Sequence, residues 1–266
     1  MRHLWRIGGA GLAAVALTGA IAASAAAELP EYMACGKAAK AGKAFVGHYT
    51  SALCSEESRV ETGGEYELEK GFGKKATFTA KSGKTVMASP EIAEQIDCKS
   101  TSTTGELTGS KQMRNVVMTA VGCEANGSRC TSAGLRSGHV ITDPLEGEFG
   151  YIAGKGTSTP TVGLLLSEEN TTFAAEFACE GVAIRMQGPI ISEASGDINV
   201  VSPEATYTFR QSGGVQQYTS FEGGGLFEDE WHWEFNIGQG FEPEGGDPSG
   251  LELTGVANQG TFEIKA

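Results

Sequence analysis

The sequence predicts an all-β fold, an antiparallel sandwich or barrel of roughly twelve to fifteen strands with a short N-terminal helix. Three observations support this prediction. The 266 residues include 38 glycines and 8 prolines, with Thr, Val and Phe between the glycines, a mixture that favours strands and tight turns. Apolar and polar residues alternate with period two in many short runs. Turn-forming dipeptides such as Asn126-Gly127 and Gly213-Gly214 separate these runs.

The N-terminal residues have the pattern of a secretory signal peptide. Two arginines precede the apolar run Ile7–Ala23, and Ala25 and Ala27 fit the small-residue cleavage pattern. The apolar run is near the short limit for a helix that spans a membrane. We therefore predict a signal peptide at 1–27, a single all-β domain at 28–266, and secretion to the extracellular space without a membrane span in the mature chain.

The first elements of the mature chain are predicted to be a short helix followed by strands. Residues 31–41 are rich in Ala and Lys, which favour the short helix. Residues 65–71 alternate, and residues 76–89 predict two strands about a turn at Ser82-Gly83. Further strands are predicted within 94–109, 114–125, 138–154, 161–192, 206–224, 230–238 and 250–266, the last divided in two by a turn at Asn258-Gln259-Gly260.

The charge of the chain limits its partners. The 20 Lys and Arg against 33 Asp and Glu give a net charge of −13, or 18 − 33 = −15 without the two leader arginines. An acidic surface repels phosphate backbones, so we expect no nucleic-acid partner. The partner is unknown from sequence, and an extracellular glycan or a cell-envelope component is the class that remains open.

Six cysteines in a secreted chain indicate disulfides. In "CEANGSRC" the Asn126-Gly127 pair occupies the middle, where it favours a type I′ turn. A two-residue loop there places Cys123 opposite Cys130, with Cα atoms ~4.5–5.5 Å apart and within disulfide range. Proximity in the chain makes Cys35–Cys54 the next predicted pair, and Cys98–Cys179 remains as a long-range link.

Paired carboxylates are the pattern most compatible with an enzyme. Two carboxylates across a groove are sufficient for glycoside hydrolysis, and residues i and i+2 of a strand share a face. Exposed strand faces are normally polar, so a solvated face is the preferred interpretation for each pair. The candidates are Glu146/Glu148, Glu67/Glu69 and the run Glu228, Asp229 and Glu230.

Two tryptophans in "EWHWEFNIG" form a possible ligand platform. Trp231 and Trp233 share one strand face with Phe235 and Ile237, because side chains alternate along a strand. A stacking platform for a sugar accounts for the two tryptophans only, whereas a half-buried strand accounts for all four apolar positions. We therefore predict a core strand and keep the platform as the alternative.

Two segments carry a resemblance to a known group of proteins. The stretches "CTSAGLRSGHVITDPLEGEFGYI" and "FAAEFACEG" resemble those of an uncharacterised family of secreted, cysteine-containing proteins of actinobacteria. Asp143 departs from the asparagine of that family at this place. The resemblance implies secretion and an all-β fold, and it transfers no activity and no site residue.

The sequence thus favours a secreted, disulfide-stabilised protein with a non-enzymatic structural or binding role. A carbohydrate-binding module and a glycoside hydrolase with paired carboxylates are the alternatives. The three mature histidines, His48, His139 and His232, are scattered and no CxxC occurs, so we predict no metal site. No catalytic or cofactor-binding residue is predicted.

Overall fold

A computed structural model describes residues 30–60, 63–71, 76–89, 95–195, 198–218, 220–221, 232–236, 238, 241, 247–248 and 250–266. All regular elements among these residues are strands, which confirms the all-β class. The described residues contain twenty-three strands, more than predicted, and six of these strands have only two residues. The strands are β1 Glu31–Lys37, β2 Lys40–Ala41, β3 Ala44–Phe45, β4 Tyr66–Lys70, β5 Ala76–Ser82, β6 Thr85–Ala88, β7 Gln95–Cys98, β8 Ser100–Leu107, β9 Gln112–Val121, β10 Glu124–Ala125, β11 Ser128–Thr131, β12 His139–Ile141, β13 Leu145–Ala153, β14 Thr161–Glu168, β15 Ala175–Cys179, β16 Val182–Gln187, β17 Ile190–Ser195, β18 Ser202–Phe209, β19 Gln211–Ser212, β20 Val215–Gln216, β21 His232–Asn236, β22 Asp247–Pro248 and β23 Gly250–Lys265.

Eight strands pair in a closed circuit. The antiparallel order is β5, β8, β9, β13, β14, β17, β18 and β23, and β23 pairs again with β5. This circuit is the barrel-like part of the fold, and its strands are antiparallel as predicted. Alternating side chains then point either into the ring or outward.

A second antiparallel sheet grows from the start of β23. Its order is β23, β6, β7, β10, β11, β15, β16, β21 and β22. Strand β23 belongs to both sheets, because 250–252 pairs with β6 while 255–258 pairs with β5. No turn interrupts β23, so the turn predicted at Asn258-Gln259-Gly260 is wrong. Buried residues of both sheets form one continuous core.

The helix predicted at 31–41 is wrong. Residues 31–37 form β1, which is hydrogen-bonded to β23 on one edge and to β4 on the other. Tyr32 is fully buried and Ala34 is 7% exposed. Helix propensities differ by only tenths of a kcal/mol per residue, whereas burying a large side chain contributes ~1.5–3 kcal/mol. Burial and strand pairing therefore outweigh the Ala and Lys preference for a helix.

Aromatic side chains fill the ring. Tyr32 stacks on Phe262 at 4.6 Å between ring centroids and lies 5.7 Å from Phe149. Phe149 in turn lies 6.2 Å from the ring of Tyr207. Burial raises the pKa of both tyrosine hydroxyls. The hydroxyl of Tyr207 is buried without a hydrogen-bond partner among the described residues.

We expect Tyr207→Phe to raise the free energy of unfolding by about 1 kcal/mol. The substitution keeps the aromatic ring and removes a hydroxyl whose unsatisfied burial costs ~1–3 kcal/mol. Urea denaturation followed by circular dichroism measures the change. Tyr151→Phe is the matched control, because Tyr151 is 6% exposed against 7% for Tyr207, but its hydroxyl is not left buried without a partner. Equal effects of the two substitutions would contradict the prediction.

Three disulfides link the six cysteines, but not all in the predicted pairs. Cys35–Cys54 is confirmed. The predicted Cys123–Cys130 and Cys98–Cys179 pairs are wrong, since the bonds are Cys98–Cys123 and Cys130–Cys179. The predicted hairpin itself is present, with Glu124 opposite Arg129 and their side chains 3.5 Å apart.

The two hairpin cysteines lie opposite each other but are bonded to partners outside the hairpin. The Cys130 N–H donates to the Cys123 carbonyl at 3.1 Å, so the two residues occupy a hydrogen-bonded position. Opposed Cα atoms are ~5.5 Å apart there, against ~4.5 Å at non-hydrogen-bonded positions. The two observed bonds join Cα atoms 3.9 and 4.2 Å apart. Cys123 and Cys130 are thus each bonded to a nearer partner, on β7 and β15, although a separation of ~5.5 Å also lies within disulfide range.

Candidate functional site

A surface groove lies on the outer face of strand β13. Along this strand Leu145, Phe149 and Tyr151 are buried in the ring, while Glu146 and Glu148 are half-buried on the opposite face. The strand predicted within 138–154 thus alternates with period two between the interior of the ring and its outer face. Above the two glutamates lies a groove of about 210 Å³. We call it the β13 groove, and its lining residues are Gln112, Met113, Arg114, Glu146, Gly147, Glu148, Leu165 and Ser167.

Three neighbouring strands bring the polar groups of the groove together. Glu148 lies opposite Gln112 of β9 on one side and opposite Leu165 of β14 on the other. Glu146 lies opposite Ser167 of β14. Directly opposed residues share a face of the sheet, so an amide, a hydroxyl and an apolar side chain flank the two carboxylates.

A β-bulge in β9 places Arg114 beside the glutamates. Between Met113 and Val116, β9 has one residue more than the matching part of β13, and Asn115 adopts a positive φ of 51°. A bulge of this kind re-aims the side chains next to it. The Asn115 N–H donates to the Glu169 carboxylate at 2.9 Å, and Arg114 lies 3.6 Å from the same carboxylate. Glu169 therefore holds both the bulge and the arginine.

A second apolar cluster borders the groove. Leu165 points out of the ring, yet it is only 4% exposed because it packs with Ile191 and Phe221. Ile152 and Tyr218 pack against the same cluster. The groove thus has an apolar edge on β14 and a polar floor on β13.

The arrangement of the carboxylates determines the chemistry available to the groove. Glu146 and Glu148 both rise from the central strand, with Cα atoms ~6.5–7 Å apart along it. Glycosidases instead use two carboxyl groups that flank the scissile bond from either side. A ligand in the β13 groove would lie over the two carboxylates rather than between them. Carboxylates accept hydrogen bonds from hydroxyl and ammonium groups, so the floor suits a polyhydroxyl or cationic ligand.

Of the other predicted carboxylate candidates, the structure describes Glu67 and Glu69. Glu67 accepts a hydrogen bond from the His48 backbone N–H at 3.0 Å and lies 2.5 Å from the His48 ring nitrogen Nδ1. Glu69 is exposed at the other end of the same strand face. Glu67 therefore fastens the segment that Cys35–Cys54 encloses. The run Glu228, Asp229 and Glu230 lies outside the described residues.

The tryptophan pair is only partly described. Trp231 lies outside the described residues, while Trp233 belongs to β21, where it is opposite Met186. Phe235 is opposite Ile184 on the same strand pair. Met186 and Ile184 are 2% and 4% exposed. The register therefore assigns these two positions of β21 to the sheet face that carries buried side chains, and the core interpretation stays a prediction.

Sequence reasoning missed Gln112, Arg114, Leu165 and Ser167. These residues come from two strands that flank β13 in space but not in the chain. The one local signal was Asn115, a residue type that tolerates positive φ, and it is too common to indicate a bulge.

Within the described ranges, no three His, Cys, Asp or Glu side chains come together in a group that could hold a metal ion. The same part of the chain contains no helix long and apolar enough to cross a membrane. Comparison with protein-family models, with curated proteins and with solved structures finds no match to this chain.

Proposed function

We propose that the protein is a secreted, disulfide-stabilised binding protein without enzymatic activity, and that the β13 groove is its ligand site. Three disulfides are typical of chains that fold in an oxidising compartment, which supports secretion after cleavage of the leader at 1–27. Membership of the secreted actinobacterial family that the sequence resembles is part of this proposal.

The position of the two carboxylates supports binding over hydrolysis. Both belong to the floor strand β13, and the lining side chains from β9 and β14, among them Gln112, Arg114, Leu165 and Ser167, include no further carboxylate. A general acid and a nucleophile on opposite sides of a sugar cannot both come from this floor. Hydroxyl-rich extracellular glycans are the ligand class that the acceptors of the groove match, and an amino sugar adds an ammonium group.

We expect Glu146→Gln and Glu148→Gln each to weaken glycan binding about 10-fold or more, because a hydrogen bond to a charged group contributes ~1.5–3 kcal/mol. A panel of soluble glycans, including amino-sugar polymers of the cell envelope, is screened first. Calorimetry with the best binder then measures the dissociation constants. Glu204→Gln is the matched control, since Glu204 is exposed on β18 and outside the groove.

Three outcomes of this experiment would contradict parts of the proposal. Unchanged binding in both groove variants, with a glycan that binds the wild type, places the ligand site elsewhere. Absence of binding to every glycan on the panel contradicts the glycan class. Release of reducing ends from a glycan by the wild type, lost in both groove variants, replaces the proposal with the glycoside hydrolase alternative.

A further inference from the structure

Four of the cysteines form one row across four neighbouring strands. Cys98 ends β7, Cys123 directly precedes β10, Cys130 lies in β11 and Cys179 ends β15. We call these four residues the cysteine row. All four are buried, with exposed fractions of 6% or less.

The register makes each cysteine the neighbour of the next. Glu124 pairs with Asp97, so the following pair is Cys123 with Cys98. The hydrogen bond from Cys130 to the Cys123 carbonyl places these two opposite each other, and Cys130 is in register with Cys179. Opposed residues share a sheet face. The sulfurs of the row are therefore consecutive on one face, and two bonds leave the central pair unlinked.

The two disulfides hold the β10–β11 hairpin from both sides. Cys98–Cys123 ties it to β7, and Cys130–Cys179 ties it to β15. A bond between Cys123 and Cys130 would close the hairpin on itself. Both covalent connections to the neighbouring strands would then be absent.

We propose that the cysteine row is a redox-sensitive exchange device in which opening one disulfide releases the other. A small external dithiol reduces Cys130–Cys179 and is itself oxidised to its disulfide. The Cys130 thiolate then attacks the Cys123 sulfur, the Cys98–Cys123 bond breaks, and the Cys98 thiolate leaves. Cys98 takes up the proton that Cys130 gave away, so this second step involves no net oxidation or reduction. One two-electron reduction thereby frees both Cys98 and Cys179.

Cys179→Ser tests the exchange directly, because it leaves a thiol at Cys130 beside an intact neighbouring disulfide. The purified oxidised variant is incubated at mildly alkaline pH, quenched with acid, unfolded and alkylated. Peptide mapping then locates the label. We expect label on Cys98 as well as on Cys130, together with a linked Cys123–Cys130 peptide. Label on Cys130 alone overturns the proposal.

Cys98→Ser provides the mirror test and Cys54→Ser the control. In Cys98→Ser the free thiol starts at Cys123, and we expect label on Cys179 in addition. Cys54→Ser frees Cys35, which lies outside the row, and its label should stay on Cys35.

Wild-type protein gives the same readout without a substitution. After treatment with less than one equivalent of dithiol, we expect a species labelled at Cys98 and Cys179 in which a new Cys123–Cys130 bond has formed. If label appears only on both members of one native pair, Cys98 with Cys123 or Cys130 with Cys179, the exchange does not occur. This wild-type experiment tests the proposal even if a variant fails to fold.

Discussion

Phe149→Ala should lower the free energy of unfolding by about 3–5 kcal/mol, the range for truncating a buried phenylalanine. Phe149 is 1% exposed and lies between the rings of Tyr32 and Tyr207 in the interior of the eight-stranded ring. The truncation removes apolar burial and leaves a cavity that a closed circuit of hydrogen-bonded strands cannot easily collapse. Urea denaturation followed by fluorescence and circular dichroism measures the loss.

Val200→Ala is the matched control for this prediction. Val200 is 50% exposed, so its truncation should change stability by no more than ~0.5 kcal/mol. A similar small change in Phe149→Ala would mean that the aromatic cluster does not form the core of the ring. Phe149 follows Glu148 in the chain and lies beneath the β13 groove. The stability of Phe149→Leu should therefore also be measured, because leucine keeps most of the apolar volume.

Local patterns in the sequence predicted local structure well. The β10–β11 turn follows from Asn126 and Gly127, which adopt positive φ angles of 48° and 83°. The inward and outward faces of β13 follow from period-two alternation. In both cases the information lies within a few consecutive residues, because turn type sets the register of a hairpin and the pleat sets the faces of a strand.

Pairings between distant segments were not predictable in the same way. The opposition of Cys123 and Cys130 was correct, yet the bonded partners Cys98 and Cys179 lie on strands whose neighbours the sequence does not specify. The segment 31–41 was misassigned for a similar reason. Its helix propensity is a local property, whereas the two strands that pair with β1 are β4 and the C-terminal part of β23.

The complete β13 groove was not predictable from the sequence for the same reason. Glu146 and Glu148 were identified as candidates from one strand, because their spacing is local. Arg114 lines the same groove next to the bulge at Asn115, which Glu169 holds from just after β14. No single stretch of sequence contains that arrangement. The sequence therefore identified the acids, and the pairing of β9, β13 and β14 turned them into a groove.

Trp233→Ala should lower the free energy of unfolding by about 3–5 kcal/mol if β21 is a core strand. The register supports this interpretation, since Trp233 is opposite Met186 and Phe235 is opposite Ile184. On the alternate positions Glu234 accepts a hydrogen bond from Gln187 at 2.8 Å. This alternation of apolar and polar pairs is typical of a strand with one buried face. A sugar platform needs exposed rings, whose loss should change stability by no more than ~0.5 kcal/mol.

Met186→Ala is the internal standard for the Trp233 prediction. Met186 is 2% exposed, so its truncation should cost about 2–5 kcal/mol wherever this sheet is folded. Thermal and urea melts of both variants are compared with the wild type, alongside glycan binding. Losses of similar size in the two variants support the core strand. A different result would be a destabilised Met186→Ala beside a Trp233→Ala that melts like the wild type and loses glycan binding. The Trp233 side chain would then be part of a sugar platform. The carbohydrate-binding module with Trp231 and Trp233 would replace the β13 groove as the ligand site.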